Sequence, residues 1–419
     1  MRRLLRAGAL VHKPQLQRLR PACLCCLGTR NVPDKTVFRA GYGVYHGETQ
    51  LGDQDGPAVN DEPSITLQSS ATNIYSYPIS PALIPTTGLA ATPPSLLLHH
   101  PDSYVQNWTA SIQQTLPARI VLGINYVGAK GTDLFQRTYV NGINPLTGTR
   151  PLAAAGFLSQ IDTKQQTGSS IFHALQVTAK RQLANGLFLS ANYMWSHAID
   201  NNSVGAGDSN SPQNVLCISC DRANSDFDVR HTGNISLVYQ LPFGQGRRLL
   251  SSSRVADIFF GSWEISNLFT ARTGLPINIS INRAGGVVPD GNTVDQRPNL
   301  VPGVSIYAAN QNAGSWLNPA AFSTPAPGTF GNLGRNVAFG PALWQDDIAL
   351  DKDFTFTERI RLNFRAEAFN VFNRAQYGNP NSNLSSLSSF GVVTSLVNSA
   401  GLTGTGTPRD LQLALRLTF

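Results

Sequence analysis

Two cysteines separated by two residues form the most compact arrangement in this chain that could bind a metal or do redox chemistry. Cys217 and Cys220 lie in a stretch rich in Asn, Ser and Asp. A zinc site needs a second such pair or histidines at short spacing, and the nearest histidine, His231, is eleven residues away. A thioredoxin-like role needs a βαβ context, which the surrounding pattern does not predict. We therefore interpret the pair as a loop disulfide, with inert thiols or a metal or redox site as alternatives.

Other polar groups in the sequence are weaker candidates for chemistry. Asp226 and Asp228, in the segment SDFDVRH, could serve acid–base work or bind calcium, but the spacing is also typical of a turn before a strand. His99 and His100 lie in a Pro-rich stretch, where solvated side chains are expected. No phosphate-binding loop, nucleophile elbow or His-Glu-x-x-His motif is present. The sequence predicts no catalytic residues, no metal site and no cofactor, and hence a protein that is not an enzyme.

Composition limits the class of protein that can carry these residues. Charged residues make up 14% of the 419 residues, against about 25% in typical soluble domains. No stretch approaches 18 uncharged apolar residues, which excludes a transmembrane helix. Low charge with abundant Gly, Asn, Ser and Thr is typical of a membrane barrel with long polar loops, and also of a secreted β-protein.

The positive charge of the chain is confined to its first residues. Residues 1–35 hold eight basic residues and one acidic residue, so this segment accounts for the whole formal net charge of +7. Nucleic acid is not an expected partner, because no basic stripe is interleaved with stacking aromatics. Residues 1–33 are interpreted as a non-barrel segment, disordered or outside the natural reading frame. A secretion signal and an amphipathic targeting helix are the alternatives.

Alternation of apolar and polar residues predicts about ten strands. In the last segment, Leu411, Leu413, Leu415, Leu417 and Phe419 alternate with Gln412, Ala414, Arg416 and Thr418, which places the two sets on opposite faces. Most segments have 10–14 residues, near the ~9–11 that a tilted strand needs to cross a bilayer. The predicted strands cover residues 36–46, 103–116, 118–129, 170–181, 186–198, 229–241, 259–272, 344–354, 358–371 and 408–419.

Short and long connections alternate between these strands. Short connections follow residues 116, 181 and 354, and a medium one covers 242–258, whereas long ones cover 47–102, 130–169, 199–228, 273–343 and 372–407. Outer-membrane barrels have short periplasmic turns and long extracellular loops. This order predicts an all-β, antiparallel transmembrane β-barrel portion, with outer-membrane lipid as a partner.

Charges and large aromatics fall on opposite faces of the predicted strands. A charge that faces lipid costs roughly 2–4 kcal/mol at the middle of the bilayer, so charges are expected to face the lumen. The inward set is Glu264, Asp351, Arg361, Arg365, Glu367 and Arg416. The outward set, a candidate aromatic girdle, is Trp108, Tyr193, Trp195 and Trp263. The alternative is that these aromatics form the core of a soluble β-protein.

An ordered set of segments resembles the C-terminal half of the Oar-like branch of TonB-dependent outer-membrane receptors. Each segment is weakly specific alone, and the order of the set makes the resemblance specific over residues 34–419. The segments are TVFRAGYGVYHG from Thr36, NYVGAKGTDLF from Asn125, NYMWSHAIDN from Asn192, SDFDVRH from Ser225, YQLPFGQG from Tyr239, LNPAAFSTPAPGTFGNLGRN from Leu317, FRAEAFNVFNRAQYGNP from Phe364 and the terminal LQLALRLTF.

The resemblance implies a larger architecture than the ten strands supply. Members of that branch have a secretion signal, often a regulatory β-sandwich, a plug domain and a 22-stranded barrel, and they work with a TonB-type energy-coupling protein. Residues 34–419 are then the C-terminal half of such a barrel, a fragment expected to be inactive alone because unpaired strand edges are not tolerated in lipid. Closure of ten strands is the alternative.

The function implied by the resemblance is reception or transport of an extracellular ligand across the outer membrane. The sequence leaves the ligand unknown. Two other readings stay open: a barrel-anchored surface protein for binding or adhesion, and a secreted soluble β-sheet binding domain.

Overall fold

Nineteen strands, one short α-helix and five 3-10 turns account for the regular structure of the residues that the structure describes. The computed structural model describes residues 23–27, 36–47, 95–96 and 101–419, except residues 156, 158–159, 185, 204–210, 245–248, 250–253, 357–359 and 399–404. The helix, α1, is Arg254–Phe260. The strands are β1 Cys23–Leu27, β2 Thr36–His46, β3 Ser95–Leu96, β4 Tyr104–Leu116, β5 Ile120–Val140, β6 Ile161–Ala184, β7 Leu187–Asp200, β8 Ala223–Asn224, β9 His231–Gln240, β10 Trp263–Arg272, β11 Pro276–Ile277, β12 Asn299–Leu300, β13 Tyr307–Asn312, β14 Ser315–Leu317, β15 Phe322–Ser323, β16 Ala338–Phe339, β17 Leu343–Thr355, β18 Arg361–Phe369 and β19 Asp410–Thr418.

Eleven strands form one antiparallel sheet in which neighbours follow chain order. The order is β1-β2-β4-β5-β6-β7-β9-β10-β17-β18-β19, with the two-residue strands β3 and β8 paired to β6 and β7. The ten predicted strands are confirmed, and β1 extends the sheet by one. Among the described residues no ladder joins β1 to β19, so the sheet has two free edges.

The strand β1 lies inside the segment 1–33 that the sequence predicts to be non-barrel. Its residues pair antiparallel with β2, from Cys23 opposite Tyr42 to Leu27 opposite Phe38. The sequence alone indicates β2 as the edge strand on this side. The structure has β1 there instead. The rest of the segment lies outside the described residues, and the boundary at residue 34 stays a prediction.

Cross-strand registers carry the predicted parity through the sheet. Leu350, Ala366 and Leu413 are direct partners on one face, which we call the apolar face. Glu264, Asp351 and Arg365 are partners on the other, the polar face. All six charges predicted to face inward share the polar face, and Trp108, Tyr193, Trp195 and Trp263 share the apolar face, as predicted.

The hairpin of β5 and β6 is longer than its alternation pattern indicates. The two strands have 21 and 24 residues, so half of the predicted connection 130–169 is strand. The pairing runs to Val140 opposite Ile161, with irregularities between Gly131 and Phe135. A bulge bends a strand and shifts its side chains between faces, which breaks the alternation that sequence reading depends on.

Connections on one end of the sheet are tight. The three-residue turn Pro117–Arg119 between β4 and β5 places Ala118 and Arg119 at φ values of 61° and 59°. Two consecutive left-handed residues match the twist of paired strands. At the opposite end, residues 201–230, 273–342 and 370–409 connect strands over long distances.

The main hydrophobic core lies in these long connections and not between the faces of the sheet. Ile277, Ile279 and Ile281 pack with side chains from residues 304–339 and with Leu384 and Phe390 of the next connection. Ile279 and Ala321 are fully buried. Because two connections supply one core, they fold as a unit, which we call the platform. No helix within the described residues has the length and hydropathy to cross a membrane.

Candidate functional site

Arg335 joins three of the segments that carry the family resemblance. It forms an ion pair with Asp200 at the end of β7, and its Nη2 also donates to the Asp200 carbonyl at 2.9 Å. Its Nη1 reaches Asp226 at 3.4 Å and the Ser203 hydroxyl at 3.1 Å. Its Nε donates to the carbonyl of Asp221 at 3.1 Å. The guanidinium therefore holds the connection 201–230 in contact with the platform.

Asn336 reinforces the same contact. Its Nδ2 donates to Asp226 Oδ1 at 2.5 Å and to the Asn224 carbonyl at 2.7 Å. In return, Asn224 Nδ2 donates to the Asn336 carbonyl at 3.1 Å. Reciprocal amide bonds of this kind fix both backbones, because each satisfies a carbonyl that would otherwise be buried without a donor.

Arg297 forms a second buried contact between the same two connections. Its Nη2 lies 2.5 Å from Asp221 Oδ1, and both side chains are almost fully buried. Asp221 Oδ2 accepts from the Gln213 backbone N–H at 2.9 Å, and Arg297 Nε donates to the Leu333 carbonyl at 2.9 Å. Removing one partner of such a pair costs about 3–5 kcal/mol, since the other charge is left buried.

Two further carboxylates tie the connection 201–230 to the platform through backbone amides. Asp295 Oδ2 accepts from Ser211 N at 2.9 Å, and Asp290 Oδ2 accepts from Val215 N at 3.3 Å. Burial raises the pKa of Asp295 to about 6, an effect that the Ser211 hydrogen bond and Arg297 oppose and the charges of Asp221 and Asp226 reinforce. Burial also raises the pKa of Asp290.

Arg283 satisfies carbonyls inside the platform. Its guanidinium donates to Thr329 O at 2.6 Å and to Val287 O and Ala326 O, each at 3.1 Å. Burial lowers the pKa of Arg283, because the charged form is removed from water. The platform is thus held by buried charges as well as by its hydrophobic core.

The space enclosed by these groups is too small for an organic ligand. A cavity of about 10 Å³ is lined by Asn278, Asp295, Arg297, Arg335 and neighbouring polar residues. A cavity of that volume has room for about one water molecule. The cluster therefore serves to position the connections.

The polar face of the sheet carries ion pairs and side-chain hydrogen bonds between neighbouring strands. Arg365 Nη1 lies 3.0 Å from Asp351 and its Nη2 lies 2.6 Å from Glu367. On the far strands, Asn125 bridges Thr109 at 2.9 Å and Gln176 at 3.0 Å. Such a face suits water and polar solutes, as the lumen of a barrel does.

The predicted site residues lie beside this cluster. Cys217 and Cys220 are disulfide-bonded in the structure, with Cα atoms 5.4 Å apart. Cys217 precedes the short turn Ile218–Asp221, and Cys220 lies within it, next to Asp221. Asp228 is buried and accepts from the Ala198 N–H at 2.7 Å and from Arg230 at 3.0 Å. His231 begins β9 and bonds Tyr193 at 2.8 Å. His99 and His100 lie outside the described residues.

The sequence analysis missed most of the cluster. Asp200, Asp221, Arg297 and Arg335 are far apart in the chain and none belongs to a recognised chemical motif. One signal was available: Asp200 and Arg335 are the last residues but one of the quoted segments NYMWSHAIDN and LNPAAFSTPAPGTFGNLGRN, next to stretches with few charges. Within the described residues, no group of three or more His, Cys, Asp or Glu side chains is arranged to hold a metal ion.

Comparison with known proteins supplies the family. A sequence model of the outer membrane beta barrel domain family matches residues 29–412. The chain belongs to this family. The match runs from before β2 into the start of β19 and includes the whole platform, so the antiparallel sheet is a barrel sheet and its place is the outer membrane. A search of curated proteins finds no match.

Solved structures similar to this chain are outer-membrane transporters and receptors. The outer membrane transporter YddB from Escherichia coli is 10% identical, with a TM-score of 0.49 over 92% of this chain and 39% of that one. The ferric preacinetobactin receptor BauA from Acinetobacter baumannii is 11% identical, with a TM-score of 0.42 over 95% and 36%. The ferripyoverdine receptor of Pseudomonas aeruginosa is 11% identical, with a TM-score of 0.41 over 93% and 32%. The chain therefore spans about a third to two fifths of each of these proteins.

Proposed function

We propose that this chain is the C-terminal barrel segment of a TonB-dependent outer-membrane receptor of the Oar-like branch. The observation that carries the proposal is the convergence of three quoted segments on one cluster: Asp200, Asp226 and Arg335 meet although more than a hundred residues separate the first from the last. This convergence gives the resemblance a physical basis, because the shared residues hold the long connections in place.

The proposed role of the platform is to present a ligand surface above the polar face. Its connections are packed and charge-locked, so the surface is preorganised and little ordering entropy is lost on binding. An extracellular ligand would contact the outside of the platform and pass along the polar face. Energy would come from a TonB-type coupling protein, as the resemblance implies.

We also propose that the eleven strands need further strands in order to form a working barrel. Both edges of the described sheet carry unpaired backbone groups, and each unsatisfied group costs several kcal/mol in hydrocarbon. Pairing with additional strands removes that cost. In this view the polypeptide of 419 residues by itself forms no working transporter.

A second candidate function is binding or adhesion at the cell surface, with the barrel as an anchor. Large apolar side chains stand exposed on the long connections: Leu146 is 93% exposed, Leu216 73% and Phe227 66%. Apolar groups presented on rigid supports are typical of interaction surfaces. Membership of the outer-membrane family is inconsistent with the third reading from the sequence, a secreted soluble β-sheet binding domain.

Two measurements test these proposals. A tag inserted in the exposed turn at Ala313 should be reachable by antibody on intact cells, and a tag in the turn at Ala118 should not. The spent medium of cells that carry this chain joined to the further strands of its barrel is then compared by mass spectrometry with that of cells that lack it, in the presence and absence of a protonophore. Gene-dependent depletion of a solute that stops with the protonophore supports transport. Depletion that persists without energy supports adhesion or binding, and no depletion at all contradicts the receptor.

A further inference from the structure

A patch of basic and aromatic side chains lies on the apolar face, where charges are otherwise scarce. Trp108, Gly128, His173 and His197 form one row of direct cross-strand partners. The next row outward contains Lys130, Ile171, Ile199 and Asn224. A lysine on this face costs about 2–4 kcal/mol if it sits at the middle of the bilayer, so its depth decides what it can do.

The position of Lys130 along β5 places it at the outer boundary of the apolar band. Lys130 lies ten residues beyond the first residue of β5, Ile120. Ten residues at ~3.3 Å each, on a strand tilted by ~40°, rise about 25 Å, which is the height of the apolar band of a barrel. Headgroups, and not acyl chains, surround a side chain at that level.

Arg222 brings a second cation to the same place. It precedes β8 by one residue, is exposed, and lies close enough to Lys130 for their charges to interact. Lys130 Nζ donates to the Ser169 hydroxyl at 2.7 Å. Neither cation belongs to a salt bridge within the described residues, whereas Arg297, Arg335 and Arg365 are each paired with acids.

Aromatic and imidazole rings lie next to the two cations, on the side nearer the middle of the bilayer. Trp108 covers Gly128 so closely that a Cβ there would meet the indole at 2.2 Å. The Trp108 and Tyr126 rings each lie about 6 Å from that of His173, and Tyr126 Oη bonds His173 Nδ1 at 2.8 Å. His197 bonds Asn224 at 2.9 Å. The rings form the aromatic belt expected at a membrane interface, and the cations stand immediately outside it.

We infer that Lys130 and Arg222 bind the phosphate group of a phosphorylated glycolipid in the outer leaflet, whose acyl chains pack beside Trp108 and Tyr126. Two unpaired cations at headgroup depth complement a phosphate dianion, and the rings below them complement its hydrocarbon. This site goes beyond the proposed receptor function, and rests on it only for the orientation with long connections outside.

The test uses the chain paired at both edges with the further strands that the proposed function requires, assembled in the outer membrane and extracted in a non-ionic detergent. Binding of lipid A carrying its phosphates is titrated by native mass spectrometry and compared with the same lipid after dephosphorylation. We expect the double variant Lys130→Gln, Arg222→Gln to weaken binding about fivefold for each charge, hence roughly 25-fold. A matched double variant on the polar face, Arg39→Gln with Lys180→Gln, removes the same charge and should leave the affinity unchanged.

Three outcomes would overturn the inference. Equal binding of the phosphorylated and dephosphorylated lipids would show that phosphate is not recognised. Equal weakening by both double variants would show a general charge effect. Displacement of the lipid by inorganic phosphate at the lipid's own concentration would assign the site to a free anion. The single variant Arg222→Gln, in an exposed position, keeps the test valid if the Lys130 change impairs assembly. If the lipid-binding test fails while the tags are accessible as expected, the phosphate site is refuted and the receptor proposal is unaffected.

Discussion

At the scale of single residues, buried charges in this chain are positioning groups. Arg335 and Arg297 connect segments that hydrophobic packing alone would leave separate, and their partners Asp200 and Asp221 are almost fully buried. Removing one partner of either pair leaves the other charge buried and unpaired. The cluster therefore makes the position of the platform specific, which a purely apolar contact would not do.

Replacing Arg335 with Ala should destabilise the platform without unfolding the sheet. The variant leaves Asp200 buried without its cation, at a cost of about 3–5 kcal/mol. We expect hydrogen exchange in residues 211–230 and 331–342 to accelerate by more than a hundredfold while β17 and β18 stay protected. Arg409→Ala, at an exposed position, is the control and should change neither region. Unaltered exchange in the Arg335 variant would contradict the locking role.

The raised pKa of Asp295 predicts a specific pH dependence. The folded-state pKa of about 6 lies above the ordinary value of 3.8, so the folded form holds the extra proton between these values. The stabilising contribution is complete below pH 4 and is lost as the pH rises through about 6. The platform should therefore be less protected against exchange at pH 7.5 than at pH 5, by of order 1–3 kcal/mol.

Asp295→Asn provides the matched variant for that dependence. An Asn keeps an acceptor for the Ser211 N–H and carries no charge. We expect it to exchange as slowly at pH 7.5 as at pH 5, after correction for the intrinsic rate. If the variant keeps the pH dependence of the natural protein, other buried acids such as Asp290 are responsible for it.

At the scale of elements, the sheet separates charge from hydrocarbon by strand parity. On β19, Leu411, Leu413, Leu415 and Leu417 are all more than half exposed on the apolar face. Their neighbours on β18 are Ala368, Ala366, Phe364 and Leu362. Side chains with this exposure have no protein partner to cover them, which is expected where lipid is the solvent.

Leu413→Arg should impair assembly far more than Gln412→Arg. The two positions are adjacent, but the first faces lipid near mid-strand and the second joins the polar face beside Glu367. The expected difference is about 2–4 kcal/mol, measured as the folded fraction in heat-modifiability gels. Gly123 also lies on the polar face, opposite Thr178. Gly123→Arg is nevertheless a poorer control, because a Cβ there would lie 2.7 Å from Thr178 Oγ1. Equal assembly of the two variants would refute the lipid-facing assignment.

The disulfide of the connection 201–230 gives a test of the predicted cysteine pairing. Mass spectrometry of the protein from outer membranes should find Cys217 and Cys220 in one oxidised peptide, two mass units lighter than the thiol form. The double variant Cys217→Ser, Cys220→Ser should loosen the turn that holds Asp221 and weaken its contact with Arg297. Free thiols that react with maleimide on intact cells would favour the inert-thiol reading.

At the scale of the whole molecule, the described residues form a sheet with two edges and a platform with its own core. The edges are β1 and β19, whereas the core of the platform comes from two connections. The platform can therefore fold once its strands are anchored. Edge strands in lipid or water attract other strands, and the proposed function gives this sheet partners at both edges.

The polypeptide of 419 residues, expressed with a secretion signal, should accumulate as insoluble or proteolysed material. Its edges cost several kcal/mol for each unpaired group in hydrocarbon. Co-expression with strands that cover both edges should restore a heat-modifiable species. A detergent-stable monomer of the chain alone, with energy-dependent uptake, would contradict this and support closure of the strands into a smaller barrel.

The sequence by itself determined the strands, their parity and the alternation of short and long connections. These features are local: a period of two depends on neighbouring residues, and a turn depends on a few. Only the tertiary structure decided the length of the β5–β6 hairpin, where a bulge breaks the period, and the place of β1 at the edge. It alone brought Asp200, Asp226 and Arg335 together. Ion pairs between distant segments leave no periodic signal, because their partners are selected by packing in three dimensions and not by spacing along the chain.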